Sequence, residues 1–172
     1  MAPPAAPAPA AQEISARARD FIDRMWPHAA EASRATGIPA HFILGQAALE
    51  SGWGRFEPRR ADGGASHNLF GIKAGRAWGG PVAESATTEF ANGVAERAVE
   101  RFRAYASYAE SFMDYARLLK SQSRYAAVLE SGNDPAAFAR ELQRAGYATD
   151  PMYSQKLTRI ITGPIMRQGL LG

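Results

Sequence analysis

The sequence predicts a mainly helical (α+β) domain with one β-hairpin inserted near its middle. Apolar residues recur at three- and four-residue spacing over most of the chain, and an Asn-Gly pair separates two strand-like runs. Two Asp-Pro pairs each predict a helix start, with Asp as the cap and Pro in the first turn. With 46% hydrophobic residues in 172, the chain can build one core without disulfides.

The first 12 residues, MAPPAAPAPAAQ, are a Pro/Ala tract that favours extended conformations and offers little surface to bury. We therefore expect a disordered linker over residues 1–12 and a folded domain over residues 13–172. The tract has neither the basic nor the leucine-rich region of a Sec signal. No apolar run approaches the roughly 18 residues that cross a bilayer, so we expect no membrane insertion.

Three helices are predicted before the middle of the chain. The apolar spacing predicts a helix from Ile14, and Pro27 is expected to end it and to begin a second helix that runs to Ala35. A third helix is predicted over Pro39–Ser51, with Gly52 as its C-terminal break. Residues 52–80 lack a period and are too long for an ordinary connection, which indicates a functional loop.

The second half of the chain is predicted to hold the hairpin and three further helices. Asn92-Gly93 places a tight turn inside residues 82–105, because both residues tolerate a positive φ. The helical period resumes at Tyr108. Asp134-Pro135 and Asp150-Pro151 then predict the starts of the last two helices.

Composition narrows the possible functions. The absence of cysteine excludes a disulfide framework, a thiol nucleophile and cysteine-ligated metal sites, and the three histidines form no spaced metal pair. We therefore expect no metal and no cofactor. The net charge is only +3, with acidic and basic residues interleaved, so no nucleic-acid-binding stripe is predicted.

Glu50 is the strongest catalytic candidate. Gln46 and Ile43, four and seven residues earlier, place it on the inner stripe of its helix, in the last turn. Burial and the negative end of the helix dipole both favour the protonated form, which suits a general acid. The alternative is a surface carboxylate that faces water or pairs with Arg55.

Cleavage of a glycosidic bond generally needs a second carboxylate or a substrate group that replaces it. The hairpin offers four glutamates, of which Glu89 is near the turn, where a hairpin arm can bring it opposite Glu50. The alternative is an ordinary exposed charge on an edge strand.

Five segments together resemble one family in order and spacing. The segments are ILGQAALESGWG from Ile43, HNLFGIKA from His67, TTEFANG from Thr87, FRAYASYAESFMDYARLL from Phe102 and AGYATDPMYSQKL from Ala145. They closely resemble the peptidoglycan-hydrolase domain of the flagellar FlgJ proteins, which belongs to glycoside hydrolase family 73.

The resemblance implies a lysozyme-like fold, with a glycan cleft between a helical lobe and a small β-hairpin lobe. It implies endo-β-N-acetylglucosaminidase activity on peptidoglycan. In this family pattern Glu50 takes the position of the general acid, Glu89 that of the second acidic residue and Tyr147 that of a tyrosine near the acid. The match further implies that Asn68, Phe70 and Gly71 line the cleft.

The family's biology is implied in the same way. The domain would open the wall for the flagellar rod in the periplasm, with flagellar rod proteins bound by a separate N-terminal domain. The flagellar secretion apparatus, rather than a Sec signal, would export it. Alternative functions are a muramidase or lytic transglycosylase of the same superfamily, and a non-enzymatic glycan-binding or rod-scaffold module.

Aromatic and basic residues supply candidates for substrate binding. Trp78 lies in the Gly-rich stretch GRAWGG and is expected to stack on a sugar, whereas Phe70 and Tyr105 are expected mainly to pack in the core. Lys73, and an arginine cluster at residues 55–60, are expected either to meet carboxylates of the peptides on the glycan or to serve solubility.

Three roles remain open for Glu89. At roughly 6.5–9.5 Å from Glu50 it would activate water with inversion, and at roughly 5–5.5 Å it would be the nucleophile of a retaining enzyme. In the third role it supports catalysis by the 2-acetamido group of the substrate.

Overall fold

The computed structural model describes the backbone of residues 9–171 and the side chains from residue 16 onward. In chain order the elements are α1 (Pro9–Thr36), α2 (Ala40–Ser51), β1 (Val82–Ala91), β2 (Val94–Arg103), α3 (Tyr108–Ser121), a 3-10 turn (Ser123–Tyr125), α4 (Ala126–Leu129), α5 (Pro135–Arg144), α6 (Tyr153–Thr162) and α7 (Pro164–Leu171). Among the helices of this range, none is both long and apolar enough to cross a membrane.

Helix α1 differs from the prediction in where it begins and in how it passes Pro27. A linker was expected over residues 1–12; residues 1–8 lie outside the described residues, and the helical backbone begins at Pro9. Pro27 was expected to separate two helices, but it lies inside one continuous helix. Met25 and Ala29, on either side of it, are both buried in the core. Packing on both sides of Pro27 therefore holds the helix together despite the missing N–H.

Helix α2 passes through the centre of the core. Seven consecutive residues, Phe42–Ala48, are buried, and the helix packs against α1 and α6. It ends as predicted at Gly52, which has a left-handed conformation with φ 58° and donates its N–H to the Ala48 carbonyl. The Ser51 hydroxyl then accepts the N–H of Gly54 at 2.9 Å. The last turn of α2 is therefore fixed tightly where it leaves the core.

The predicted hairpin is present, and its turn is the predicted one. Asn92 and Gly93 both have positive φ values, 52° and 78°, and the antiparallel strands β1 and β2 pair Glu89 with Glu96. At the base of the hairpin, Arg103 forms an ion pair with the buried Asp114 of α3 at 3.0 Å. This ion pair links the base of the hairpin to α3 of the helical lobe.

The two Asp-Pro pairs have different outcomes. Asp134 caps α5 as predicted, since its carboxylate accepts the N–H groups of Ala136 and Ala137. Asp150 was expected to cap the next helix, but α6 begins three residues later, at Tyr153. The Asp150 carboxylate instead accepts the N–H of Met152 at 2.8 Å, which closes a turn two residues long before the helix starts.

Candidate active site

A cleft of about 720 Å³ lies between the helical lobe and the hairpin. Its floor is the end of α2, one wall is the loop after residue 67, and β1 forms the opposite side together with the loop before α6. The residues that line it include six sequence candidates: Glu50, Asn68, Gly71, Lys73, Glu89 and Tyr147. The fold thus brings together residues that are up to 97 positions apart, as Glu50 and Tyr147 are.

Glu50 has the environment of a carboxylic acid that stays protonated near neutral pH. Its side chain is only partly exposed, at the floor of the cleft. Desolvation, together with the negative charge of Glu89, raises the pKa of Glu50 from 4.5 to about 7, against the opposing effects of a hydrogen bond from Tyr153 and the positive charge of Lys73. Arg55 instead lies over the ring of Phe56, 5.2 Å from its centroid. The structure therefore favours the general acid over the surface carboxylate paired with Arg55.

Asn68 shapes the loop that faces Glu50. Its amide nitrogen donates to the carbonyls of Ile72 and Arg103, both at 2.9 Å, and its oxygen accepts the N–H groups of Phe70 and Ile72. The side chain is 1% exposed, so it acts on the loop rather than on a ligand. The loop it holds places Gly71, with φ 63°, directly against the carboxyl of Glu50.

Tyr147 is a neutral hydroxyl beside the acid. Its hydroxyl donates to the Phe70 carbonyl at 2.6 Å, and its ring stacks with the ring of Tyr153 at 6.2 Å. Burial raises the pKa of Tyr147 well above 10, and the charge of Glu50 adds to the effect. Tyr147 therefore keeps its proton throughout the pH range in which Glu50 titrates.

Two expected substrate-binding residues, Phe70 and Trp78, do not present their rings to the cleft, and for Phe70 this agrees with the expectation that its ring packs mainly in the core. The ring of Phe70 is 0% exposed and stacks on Tyr115 at 4.1 Å, so only its carbonyl belongs to the site. Trp78 is not among the residues that line the cleft: its Nε1 donates to the Pro81 carbonyl and its ring lies 4.9 Å from the Arg103 guanidinium. The Gly-rich sequence around Trp78 gave no sign of this contact, because Arg103 is in a strand 25 residues later in the chain.

A buried hydrogen-bond chain, which the sequence analysis did not single out, ends at Glu50. Tyr115 donates its hydroxyl to Oε1 of Gln46 at 2.5 Å, and Nε2 of Gln46 donates to the hydroxyl oxygen of Tyr153 at 2.9 Å. Tyr153 lines the same cleft as Glu50, and its hydroxyl lowers the pKa of the Glu50 carboxyl by acting toward it as a hydrogen-bond donor. The available signal was a polar Gln46 one turn before Glu50 on an otherwise apolar stripe.

Glu89 is held as an ionised carboxylate. Lys73 forms an ion pair with Oε1 at 2.8 Å, and the Thr149 hydroxyl donates to Oε2 at 2.8 Å while it accepts the N–H of Phe90 at 3.0 Å. Desolvation alone would raise the pKa of Glu89, but the hydrogen bonds from Lys73 and Thr149 and the charge of Lys73 outweigh it and lower the pKa. The hairpin thus places a negatively charged carboxylate in the cleft, and contacts to both of its oxygens hold it in position.

The geometry is that of a two-carboxylate site. One carboxyl, Glu50, is poised as an acid and the other, Glu89, is ionised, and such divergent environments are how proteins separate acid and base roles. Among the side chains that the structure describes, no three His, Asp or Glu residues are grouped so as to hold a metal ion.

A family model described as "Glucosaminidase: Mannosyl-glycoprotein endo-beta-N-acetylglucosaminidase" matches residues 26–164. The chain belongs to the glucosaminidase family. Its membership confirms the expected glycoside hydrolase and the resemblance to family 73. The matched range contains every residue that lines the cleft, from Leu49 to Lys156.

Curated relatives of this glucosaminidase-family domain include two named peptidoglycan hydrolase FlgJ. The protein of Pseudomonas aeruginosa is 46% identical over 149 residues, which cover 87% of this chain and 37% of the relative. The protein of Salmonella typhimurium is 47% identical over 148 residues, or 86% of this chain and 46% of the relative. The chain thus spans less than half the length of either relative.

Solved structures confirm the expected mainly helical fold with a hairpin lobe. A peptidoglycan hydrolase mutant from Sphingomonas sp. A1 is 52% identical with a TM-score of 0.85, covering 89% of this chain and 98% of that one. The glycoside hydrolase domain of Salmonella typhimurium FlgJ, in a C-terminally truncated form, is 48% identical with a TM-score of 0.69, covering 84% and 95%.

Proposed function

We propose that this domain is an endo-β-N-acetylglucosaminidase that cleaves the bond between N-acetylglucosamine and N-acetylmuramic acid in peptidoglycan. The observation that carries the proposal is the pair of carboxyls facing one cleft, with Glu50 near pKa 7 and Glu89 ionised. That combination of a protonated and an ionised carboxyl is what most enzymes that hydrolyse glycosidic bonds use. The names of the relatives, peptidoglycan hydrolases and an exo-glucosaminidase of Bacillus subtilis, support the choice of polymer and of sugar.

In the proposed mechanism Glu50 donates its proton to the glycosidic oxygen as the bond to C1 breaks. Positive charge then develops at C1 and the ring oxygen, and the ionised Glu89 stabilises it from the hairpin side. Water then attacks C1 and forms the new C1–O bond, and its proton passes to Glu50 when Glu50 acts as the base of this step or to Glu89 when Glu89 does. Tyr147 holds the Phe70 carbonyl, and with it the loop that carries Gly71 against the acid.

The cleft also offers an aromatic surface for a sugar. Phe56 lines it and is 69% exposed, an unusual exposure for a phenylalanine, and its ring is supported by the Arg55 guanidinium. We propose that Phe56 takes the stacking role that the sequence suggested for Trp78. A sugar ring placed there lies beside the last turn of α2, close to the acid.

The proposed biological role is to open the periplasmic cell wall for the flagellar rod, with export through the flagellar secretion apparatus. The rod assignment comes from the FlgJ family resemblance, which the names of two relatives support, and the proposed substrate supports the location. The domain would act there together with flagellar rod proteins bound by another part of a longer chain.

The decisive test identifies the new sugar ends. Purified peptidoglycan is digested with the protein, the new reducing ends are reduced with borohydride, and the products are identified by mass spectrometry. We expect reduced N-acetylglucosamine from the interior of long strands. Reduced or anhydro-N-acetylmuramic acid would instead indicate a muramidase or lytic transglycosylase. Folded protein that releases no new ends would contradict the enzymatic proposal and favour a glycan-binding module.

A further inference from the structure

Gln46 is a polar side chain in the middle of the core. It is 0% exposed, and both of its amide atoms are used: Oε1 accepts from Tyr115 and Nε2 donates to Tyr153. Burying an amide is costly unless all of its polar atoms are hydrogen-bonded, so an apolar residue would fill this position at lower cost. The position therefore invites a functional explanation.

The direction of the hydrogen bonds provides one. Because Nε2 of Gln46 donates to the Tyr153 oxygen, the hydroxyl hydrogen of Tyr153 is left to donate elsewhere. The Glu50 carboxyl is the neighbouring acceptor. When the carbonyl oxygen of the protonated carboxyl accepts this hydrogen bond, the acidic proton is on the other oxygen.

We propose that Gln46 is a positioning residue for the catalytic acid. It orients the Tyr153 hydroxyl so that this group donates to Glu50, which leaves the acidic proton of Glu50 free for the substrate. Without Gln46, the Tyr153 oxygen is free to accept a hydrogen bond from the acidic O–H of Glu50. The acid would then be turned toward the protein interior and would be a weaker proton donor to the glycan.

The effect of Gln46 on Glu50 must be distinguished from the effects of the other groups that face Glu50. These come from every element around it: Tyr115 on α3, Tyr147 before α6, Tyr153 on α6, Lys73 on the loop and Glu89 on β1. A Gln46→Leu variant keeps the size of the side chain and leaves Tyr147, Lys73 and Glu89 in place. The change is therefore confined to the hydroxyls of Tyr115 and Tyr153, which lose Gln46 as a partner, and to what they then bond to.

The experiment measures the pKa of Glu50 directly, by NMR titration of protein labelled with ¹³C at the glutamate carboxyls. The Glu50→Gln variant assigns the signal. Wild-type protein, Gln46→Leu and Tyr153→Phe are compared, and Tyr125→Phe serves as the control because it removes a buried tyrosine hydroxyl outside the chain from Tyr115 to Glu50. Thermal unfolding shows which variants are folded.

We expect the pKa of Glu50 to rise by about one unit in Tyr153→Phe and to rise in Gln46→Leu as well, because each loses a hydrogen bond that favours the charged form. Tyr125→Phe should leave it unchanged. On peptidoglycan, Gln46→Leu should lower kcat about tenfold without a matching change in KM. An unchanged titration in folded Gln46→Leu would overturn the proposal. The titration requires no turnover, so a failed glucosaminidase assay would leave this result standing.

A second inference concerns the charge of the cleft. Four cationic side chains line it, and three are paired with a carboxylate: Lys73 with Glu89, Arg103 with Asp114 and Lys156 with Asp150. Within the described part of the chain, Arg124 has no carboxylate partner.

Neutral contacts hold Arg124 in place. Its Nε donates to the side chain of Gln122 at 2.9 Å, and one terminal nitrogen donates to the Ala145 carbonyl at 3.3 Å. The guanidinium lies over the Tyr125 ring at 4.6 Å, and that ring is 6.0 Å from Tyr147 beside the acid. A fixed cation with free donors is thus presented two aromatic rings away from the reacting bond.

We infer that Arg124 binds a carboxylate of the peptides that branch from the glycan. The inference rests on the proposed function, and it names the peptide-bearing polymer, rather than the bare glycan, as the preferred substrate. Guanidinium groups bind carboxylates by paired N–H donors, which gives both strength and geometry. The sequence candidates for this role, residues 55–60 and Lys73, include a lysine that is already paired with Glu89.

The test compares intact peptidoglycan with glycan strands stripped of their peptides by an amidase. Arg124→Ala should lower kcat/KM on the intact polymer by about tenfold, the equivalent of one charge-assisted hydrogen bond, and leave the stripped strands unchanged. Arg159→Ala, an exposed arginine of α6 outside the cleft, is the matched control and should change neither. Equal effects of Arg124→Ala on both polymers would overturn the inference.

A binding measurement separates this inference from the proposed function. Cosedimentation of the inactive Glu50→Gln protein with insoluble peptidoglycan reports affinity without cleavage. We expect weaker binding when Arg124→Ala is added and unchanged binding when Arg159→Ala is added. Unchanged binding in both would overturn the inference, whatever bond the active protein cleaves.

Discussion

Gly71 lies so close to Glu50 that a β-carbon at this position would be 2.8 Å from Oε2 of the glutamate. Its φ of 63° is also a conformation that L side chains rarely adopt. The loop that Asn68 organises therefore reaches the acid with bare backbone. This close approach excludes water from one side of the carboxyl, and it contributes to the desolvation that raises the pKa of Glu50.

The first prediction is that Gly71→Ala inactivates the enzyme through Glu50. The new methyl group must displace the carboxyl, and a shift of about 1 Å in a catalytic group costs roughly 100-fold in rate. The left-handed backbone adds about 1 kcal/mol of strain. Activity is measured as new reducing ends, and stability is measured by urea unfolding.

Gly132→Ala is the matched control for this prediction. Gly132 has the same φ of 63°, but a β-carbon there would meet nothing within 4 Å. It should lose a similar amount of stability and keep its activity. If the two variants lose activity equally, the effect belongs to backbone strain and not to contact with the acid.

The second prediction separates the two carboxyls. Glu50→Gln should lose nearly all hydrolysis, on the order of a thousandfold, because the proton donor is removed. Glu89→Gln should leave a measurable remnant, because the acetamido group of the substrate can still assist. Glu96→Gln, directly across the hairpin from Glu89, is the control and should remain active. Equal loss in the Glu50 and Glu89 variants would argue against substrate assistance and for a base or nucleophile at Glu89.

The third prediction concerns the pH dependence of the rate. Glu50 must be protonated to act as the acid, and its pKa is raised to about 7. We therefore expect kcat/KM to fall above pH of about 7, approaching tenfold per unit. A rate that stays constant up to pH 9 would show that Glu50 is not the proton donor of the limiting step.

The fourth prediction uses Lys73, which acts on both carboxyls. Its ammonium lowers the pKa of Glu89 and that of Glu50. Lys73→Met should therefore move both limbs of the pH profile upward, so that the whole optimum shifts to higher pH. Lys120→Met, which removes a lysine of α3 outside the cleft, should leave the profile in place. A lower rate with an unmoved profile would indicate that Lys73 binds substrate and does not tune the carboxyls.

Local patterns predicted the parts of the fold that local chemistry decides. The Asn92-Gly93 turn, the Asp134 cap and the position of Glu50 on the inner stripe of α2 follow from residues within one or two turns of each other. Pro27 and Trp78 were placed differently because their surroundings come from distant parts of the chain. The core on both sides of Pro27 and the Arg103 side chain over Trp78 are such surroundings.

The candidate site, like the fold, could be predicted only where nearby residues or the family resemblance gave a signal. Glu50 carried its own signal, and the family resemblance supplied Glu89 and Tyr147. The groups that tune these residues, Tyr153 for the acid and Thr149 for Glu89, follow from how α6 and the loop before it meet the cleft. No spacing in the sequence expresses such a contact, since Thr149 and Glu89 are 60 residues apart.

The last prediction is that Glu50 lowers the stability of the fold. Its pKa is raised in the folded protein from 4.5 to about 7, so the native state binds more protons than the unfolded state between these pH values. Stability must then fall as the pH rises from about 4.5 to 7. Above 7 the full cost of the buried charge remains, up to about 3 kcal/mol.

Glu50→Gln keeps the size of the side chain and removes the ionisation. Urea unfolding should show the variant to be more stable than wild type at pH 8, by up to about 3 kcal/mol, and nearly equal to it at pH 4.5. Every other titrating group is common to both proteins, so the difference between the two unfolding curves isolates Glu50. A gap of the same size at both pH values would mean that Glu50 is not kept protonated by its surroundings, and the assignment of the acid would have to be revised.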